Sequence, residues 1–97
     1  MKSYFVVTRR KGHAWQEAKP MDSQTQWPEH AQFMNQLAAN GFIILGGPLS
    51  DSGHILLVVN AADETTIQAT LARDPWSQAG LLEVQSIQHW TILLAAE

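Results

Sequence analysis

The chain has 97 residues, a formal net charge of −3, four tryptophans and no cysteine. Its length predicts one domain over residues 1–97, and its acidic balance disfavours a nucleic-acid partner, which needs a basic face. The lack of cysteine excludes disulfides, thiol nucleophiles and thiolate metal sites. No apolar run approaches the length of a membrane span or the core of a signal peptide, so we expect a cytoplasmic protein with no membrane partner.

The first element is a strand in "YFVVT", Tyr4–Thr8, where β-branched and aromatic residues lack a helical period. Residues 9–26 mix charge, Gly and Pro without a period and are predicted to form a long loop. The basic run Arg9–Lys11 at its start is interpreted as solvated. Loops of this length are uncommon in small domains and are often functional.

The next element is the clearest helix, in "WPEHAQFMNQLAANG". Pro28 suits the first turn, Glu29 suits the positive end of the helix dipole, and Gly41 is a typical C-terminal stop. Residues at helical spacing make its apolar face: Phe33, Met34, Leu37 and Ala38.

Two strands and a second helix follow. "FIILGGPL" is predicted to be a buried strand, "SDSG" a turn and "HILLVVN" a third strand, so the two strands form an antiparallel hairpin. Asp63 or a neighbour caps a second helix that runs to about Arg73. A last strand lies within "LLEVQSIQHWTILL".

The order β-α-β-β-α-β predicts an α+β, ferredoxin-like fold, with two helices on one face of a four-stranded antiparallel sheet. The strands are apolar on both sides, yet no helix is left for the second sheet face. A second copy of the chain is the simplest cover for that face, so we expect a homodimer.

The sequence Asp74-Pro75-Trp76 follows the second helix. Asp74 can cap a short turn with Pro75 at its first position, and Ala79-Gly80 ends that turn. Capping does not explain Trp76, whose indole either closes an edge of the core or forms the wall of a pocket.

His30 lies one turn into the first helix, on or beside its apolar face. Two interpretations remain open: a structural histidine with both ring nitrogens satisfied, or a general acid or base oriented by a carboxylate, for which Asp74 is the candidate. The sequence alone does not bring these two residues together.

Other motifs are weaker. His13 lies in the long loop, and His54 and His89 lie in strands where exposure is expected. No metal-binding spacing and no Gly-rich nucleotide motif occurs, so no metal or cofactor is predicted. Gly46-Gly47-Pro48 is either an ordinary strand end or a place where a ligand approaches the backbone.

Three segments together resemble the YCII-related domain family, also called YciI-like proteins: "WPEHAQFMNQLAANGFIILGGPL", "HILLVVNA" and "ARDPWSQAGLLEVQSIQHWTILL". The specific parts are the helical His, the Gly-Pro after the second strand and the Asp-Pro-Trp followed by Ala-Gly. The resemblance extends from Tyr4 to Leu94. It implies a dimeric α/β barrel of two ferredoxin-like subunits and an active site around a His and an Asp, which correspond here to His30 and Asp74.

The leading hypothesis is a cofactor-free enzyme that performs isomerisation or elimination on a small organic substrate, with cyclic compounds as candidates. His30 is its acid or base, Asp74 orients the ring, and Trp27, Gly47, Pro48 and Trp76 bind substrate. His13 and Trp15 are candidates to cover the pocket. The alternatives are a small-ligand-binding domain without catalysis and a structural dimer.

Overall fold

The computed structural model describes residues 2–96. The strands are β1 (Lys2–Lys11), β2 (Ile43–Pro48), β3 (His54–Val59) and β4 (Leu82–Ile92), and the helices are α1 (Trp27–Ala39), α2 (Glu64–Leu71) and the single turn α3 (Pro75–Gln78). A 3-10 turn at Met21–Ser23 precedes α1. The predicted β-α-β-β-α-β order is confirmed, with α3 inserted between the second helix and the last strand.

The four strands form one antiparallel sheet in the order β2-β3-β1-β4. This is the order that a ferredoxin-like fold requires, because each half of the chain places its two strands on either side of the other half's first strand. The predicted hairpin of β2 and β3 is present, with Gly46 opposite Leu57. The α+β fold class is therefore confirmed.

The core lies between the sheet and the two longer helices. Leu37 from α1 and Ile67 and Leu71 from α2 pack with Val7 and Leu57 of the central strands. Alternate residues of a strand share a face, so Phe5, Val7 and Arg9 of β1 all lie on the side that the helices cover.

The helix ends follow the predicted local chemistry. Pro28 lies in the first turn of α1, and Gly41 takes a positive φ of 83° beyond its end. Asp63 caps α2 by accepting a 2.8 Å hydrogen bond from the backbone N–H of Thr66. The second helix ends at Leu71, slightly before the predicted Arg73.

Within the part of the chain that the structure describes, none of the helices is long and apolar enough to cross a membrane.

Two predictions about the strands are wrong. β1 continues to Lys11, and Arg9 is fully buried instead of solvated, because β3 and β4 pair with both edges of β1 as far as Arg10. β2 is mostly exposed instead of buried, with Leu45 69 % exposed. It is an edge strand, so only one of its sides has a neighbouring strand.

The sheet face opposite the helices has no covering element among residues 2–96. By register it carries Tyr4, Val6 and Val58, and Trp90 opposite Tyr4. Trp90 is 43 % exposed. The prediction that no helix of the same chain covers this face is therefore correct, but the face is only partly apolar, because the same register also places Thr8, Ser86 and Gln88 on it.

The segment after β1 is attached to the segment before β4 by a close backbone approach. The N–H of Gly12 donates a 2.8 Å hydrogen bond to the carbonyl of Leu81, and a Cβ on Gly12 would lie 2.2 Å from the carbonyl oxygen of Gly80. Only a residue without a side chain fits at position 12.

Gly12→Ala should therefore lower the free energy of unfolding by about 1–3 kcal/mol or more, because the methyl group collides with backbone. Gly47→Ala is the matched control: a Cβ there meets nothing within 4 Å, so its effect should stay within about 0.5 kcal/mol. Urea unfolding followed by tryptophan fluorescence measures both variants. Equal stability of the two would contradict the packing described at Gly12.

Candidate functional site

A cavity of about 340 Å³ lies between α1 and β2. Its lining is mostly apolar, with Met34 and Ala38 on the helix side and Ile44 and Leu45 on the strand side. Arg9 and His30 are the titratable residues of the described lining. Small-molecule sites commonly combine an apolar wall with a few placed polar groups in this way.

His30 lies in the first turn of α1 and is 8 % exposed, while Asp74 behind it is fully buried. The ring Nδ1 of His30 lies 2.8 Å from Oδ1 and 2.9 Å from Oδ2 of Asp74. The structure thus brings together the two residues that the sequence analysis paired, although they are 44 positions apart in the chain.

Asp74 is held there by its role as the cap of α3. Its Oδ1 accepts a 2.9 Å hydrogen bond from the backbone N–H of Trp76, and Pro75 takes the first helical position, as predicted. Because α3 packs beside α1, the capping carboxylate faces the His30 ring. One side chain therefore caps the start of α3 and also serves as the acceptor for Nδ1 of His30.

Arg9 reaches the same carboxylate from β1. Its Nη1 donates to Oδ2 of Asp74 at 2.9 Å, and its Nη2 donates to Oγ of Ser77 at 2.7 Å. The Ser77 hydroxyl in turn donates to the carbonyl oxygen of Leu71 at 2.7 Å. The Nε of Arg9 is buried and has no hydrogen-bond partner among the described residues.

These contacts determine the charge of Asp74. Burial by itself raises the pKa of the carboxyl group, but the hydrogen bonds from His30 and from the N–H of Trp76, together with the positive charge of Arg9, lower the pKa of Asp74 below its ordinary value. Burial lowers the pKa of Arg9, and the carboxylate of Asp74 opposes that change. A guanidinium stays charged in proteins, so the pair is ionic.

An ionised Asp74 fixes the tautomer of His30. A carboxylate only accepts hydrogen bonds, so Nδ1 of a neutral His30 must carry the hydrogen, and Nε2 then has a free lone pair. The described residues give Nε2 no hydrogen-bond partner. The ring lines the cavity, so its basic nitrogen is available to a ligand.

Tryptophans hold the His30 ring in its plane. The rings of His30 and Trp76 are stacked, with centroids 3.8 Å apart and planes 5° apart. Trp27 lies at a tilt, 5.9 Å from His30 and 5.6 Å from Trp76. Trp76 is fully buried and its Nε1 donates to the carbonyl of Thr25 at 2.7 Å, so it both closes the core and forms a wall of the cavity.

The other predicted substrate-binding residues also lie at this cavity: Trp27, Gly47 and Pro48 line it together with His30 and Trp76. His13 and Trp15 do not. His13 is exposed and its ring packs near Gly80, whereas Trp15 packs edge-on against Trp76. The long loop reaches the cavity through Met21 instead.

Sequence reasoning missed Arg9 and Ser77. A signal for Arg9 was present, since a strand that continues past Thr8 places Arg9 on the same face as Phe5 and Val7. The other histidines take no part: His54 is half-buried on β3 and His89 on β4 contacts Ser3. Within residues 2–96, no group of three or more His, Asp or Glu side chains is arranged to hold a metal ion.

The family model for the YCII-related domain matches residues 1–91. The chain belongs to this family. No curated protein matches the sequence.

One solved structure similar to this YCII-related chain is 5-chloro-2-hydroxyhydroquinone dehydrochlorinase (TftG) from Burkholderia phenoliruptrix AC1100, in complex with 2,5-dihydroxybenzoquinone. The two chains are 20 % identical, the match covers 90 % of this chain and 93 % of that chain, and the TM-score is 0.59. At this identity the likeness establishes a shared fold.

The ionic contacts of Asp74 predict how stability depends on pH. At neutral pH Asp74→Asn should lower the free energy of unfolding by about 3–5 kcal/mol, since it leaves Arg9 buried without its counter-charge. The folded-state pKa of Asp74 lies below its unfolded value, so the stabilisation is complete above the ordinary carboxyl pKa of about 3.9 and is lost as pH falls through the folded value. The difference in the free energy of unfolding between wild type and Asp74→Asn should therefore become smaller below about pH 4.

Urea unfolding between pH 7 and pH 2 measures this difference. The control is Asp51→Asn, which removes an exposed carboxylate in the β2–β3 turn. A constant gap between wild type and Asp74→Asn over the whole range would contradict the assignment of an ionised Asp74.

Proposed function

We propose that this YCII-related protein is a cofactor-free enzyme that moves protons on a small organic ring, with His30 as the general base and acid and Asp74 as its orienting partner. The observation that carries the proposal is the 2.8 Å contact between Nδ1 of His30 and Asp74, at the wall of a cavity, with Nε2 left unused by the described residues. A histidine kept for packing alone needs partners for both nitrogens.

The chemistry follows from this arrangement. Nε2 takes a proton from a carbon or hydroxyl of the substrate, and Asp74 stabilises the imidazolium that forms. If the proton returns to another atom of the substrate, the reaction is an isomerisation. If the electron pair left by the proton forms a double bond while a neighbouring substituent departs with its own bonding pair, the reaction is an elimination.

The shape and lining of the cavity support a single-ring substrate. Its volume of about 340 Å³ is at the small end for ligand pockets, and the rings of Trp27 and Trp76 offer flat apolar walls. The solved relative is a dehydrochlorinase in complex with a dihydroxybenzoquinone, which is also a small oxygenated ring. That precedent supports the size and polarity of the proposed substrate class.

The proposal predicts proton exchange that depends on His30. The wild-type protein should catalyse deuterium uptake from heavy water into one or more compounds of a panel of hydroxyquinols, halogenated hydroquinones and unsaturated lactones, followed by NMR. His30→Asn keeps a donor near the position of Nδ1 but has no basic nitrogen, and should lower the rate by about 10²–10⁴-fold. His89→Asn, which changes a histidine remote from the cavity lining, is the matched control and should retain the rate.

Two results would contradict catalysis. Equal rates in His30→Asn and wild type would show that exchange occurs elsewhere. Binding of panel compounds that moves the His30 ring signals, with no exchange and no product, would favour the alternative of a ligand-binding domain. The absence of both binding and exchange would favour a purely structural dimer.

We further propose that two copies of the chain associate through the uncovered sheet face into an α/β barrel. The support is a set of apolar side chains on this face that no helix of the same chain covers, with Val6 beside Val58 in the centre and Trp90 43 % exposed. Burial of a face of this kind against a second copy is the ordinary way to remove it from water. A homodimer and the cytoplasmic location remain predictions from the sequence.

Light scattering tests the dimer. Wild type should have twice the chain mass, whereas Trp90→Glu, which places a charge within the proposed interface, should be largely monomeric. Gln32→Glu adds the same charge on the exposed side of α1 and should stay dimeric. A monomeric wild type, or a dimer that Trp90→Glu leaves intact, would rule out this interface.

A further inference from the structure

Arg9 is a buried guanidinium whose own part in the proposed chemistry is not explained by the acid–base pair of His30 and Asp74. It is fully buried on β1, on the sheet face where Phe5 and Val7 belong to the core. Burial of a charge is costly unless the charge is paired and hydrogen-bonded, and the Nε of Arg9 has no hydrogen-bond partner among the described residues. An apolar side chain at this position would avoid these costs.

We propose that Arg9 is a positioning residue that sets the charge of the site, so that the cavity favours substrates which become anions, as enolates or phenolates, when His30 takes their proton. This inference rests on the proposed function and adds a substrate class to it.

The summed charge of Asp74, His30 and Arg9 determines which form of the substrate the site favours. Asp74 and a neutral His30 alone would carry −1, and proton uptake would bring them to zero. With Arg9 held 2.9 Å from Oδ2 of Asp74, the three side chains sum to zero before proton uptake and to +1 after it. A positive site next to the cavity attracts the anion that the substrate has become, which favours the charge-separated state over a neutral one.

This sum includes the charged groups that face His30 from each element packed around it. β1 supplies Arg9, the start of α3 supplies Asp74, and the described cavity lining on β2 contains no ionisable side chain. The 3-10 turn before α1 carries Asp22, and α1 itself carries Glu29 beside His30; both carboxylates are exposed, so water screens their charge. Arg9 and Asp74 therefore determine the local field.

Hydrogen bonds at both terminal nitrogens hold the guanidinium of Arg9 in one position. Nη1 contacts Asp74 while Nη2 contacts Ser77, whose hydroxyl is itself anchored to the carbonyl of Leu71. Two separated anchors fix the guanidinium plane, and the ammonium of a lysine cannot reproduce this fork. The same contacts hold Oδ2 of Asp74 in place next to Nδ1 of His30.

The test is an NMR titration of the His30 ring in wild type, Arg9→Gln, Asp74→Asn and the double variant Arg9→Gln/Asp74→Asn. The pH of half-protonation should be lowest in Asp74→Asn, where only the positive charge remains, and highest in Arg9→Gln, where only the negative charge remains. Wild type and the double variant should fall between them and close to each other. Each step should be roughly one pH unit.

This order separates charge from structure, because a residue that only supports the fold would not produce opposite shifts in the two single variants and their cancellation in the double variant. Glu29→Gln changes an exposed charge beside His30 and is the control, with a smaller expected shift. Either single variant leaves a buried charge unpaired and can fail to fold, but the double variant leaves none. If a single variant does not fold, a double variant that titrates well below wild type still overturns the proposal, and the one single variant that folds supplies the shift that supports it.

The Arg9 proposal is overturned if Arg9→Gln titrates with wild type, or if the double variant titrates well below wild type, because Asp74 alone would then act on the ring. A His30 titration that Asp74→Asn leaves unchanged would instead remove the acid–base pair, and the proposed function with it. The two failures are therefore distinguishable in one data set.

Discussion

The carboxylate of Asp74 is the point on which both the fold and the site depend. It is fully buried and receives hydrogen bonds from Arg9 on β1, from His30 on α1 and from the backbone of α3. Three elements that are distant in sequence thus share one acceptor. Since a buried carboxylate is stable only while its donors are present, the correct packing of these elements and the ionised state of the site require each other.

A cluster of this kind is a poor way to gain stability. A well-packed apolar group would avoid the desolvation of Arg9 and Asp74, and the unpartnered Nε of Arg9 shows that the cluster is not fully satisfied by the described residues. Sites that depart from the best packing are commonly the sites that perform chemistry. The physical cost of this cluster is thus an independent reason to locate function here and not at His13, His54 or His89.

Local chemistry made much of the fold predictable. The first turn of α1, the cap at Asp63 and the Asp74-Pro75 turn each depend on a few neighbouring residues, so their sequence determines them. The pairing of His30 with Asp74 came from a family resemblance and from the need of an acidic partner. It did not come from any local pattern, because the approach of α3 to α1 is a property of tertiary packing.

The errors have a common cause. Whether β1 ends at Thr8 or Lys11 depends on the strands that pair with it, and whether β2 is buried depends on its place at the edge of the sheet. The local sequence of each strand determines neither where β1 ends nor whether β2 is buried. The basic run Arg9–Lys11 was interpreted from composition, whereas strand alternation places Arg9 inside and Arg10 outside. Because of this long-range strand pairing, the guanidinium of Arg9 is part of the site, although composition had predicted that it is solvated.

The long segment between β1 and α1 supports the site and does not simply cover it. Its carbonyl at Thr25 accepts the indole N–H of Trp76, and Trp15 packs edge-on against the same indole. Trp76 in turn stacks on His30, while Asp74 holds Nδ1. The ring is therefore fixed both in its plane and about its axis before any ligand arrives, so the direction of Nε2 is set in advance. For the proposed acid–base chemistry, such preorganisation removes the cost of orienting the base when a substrate binds.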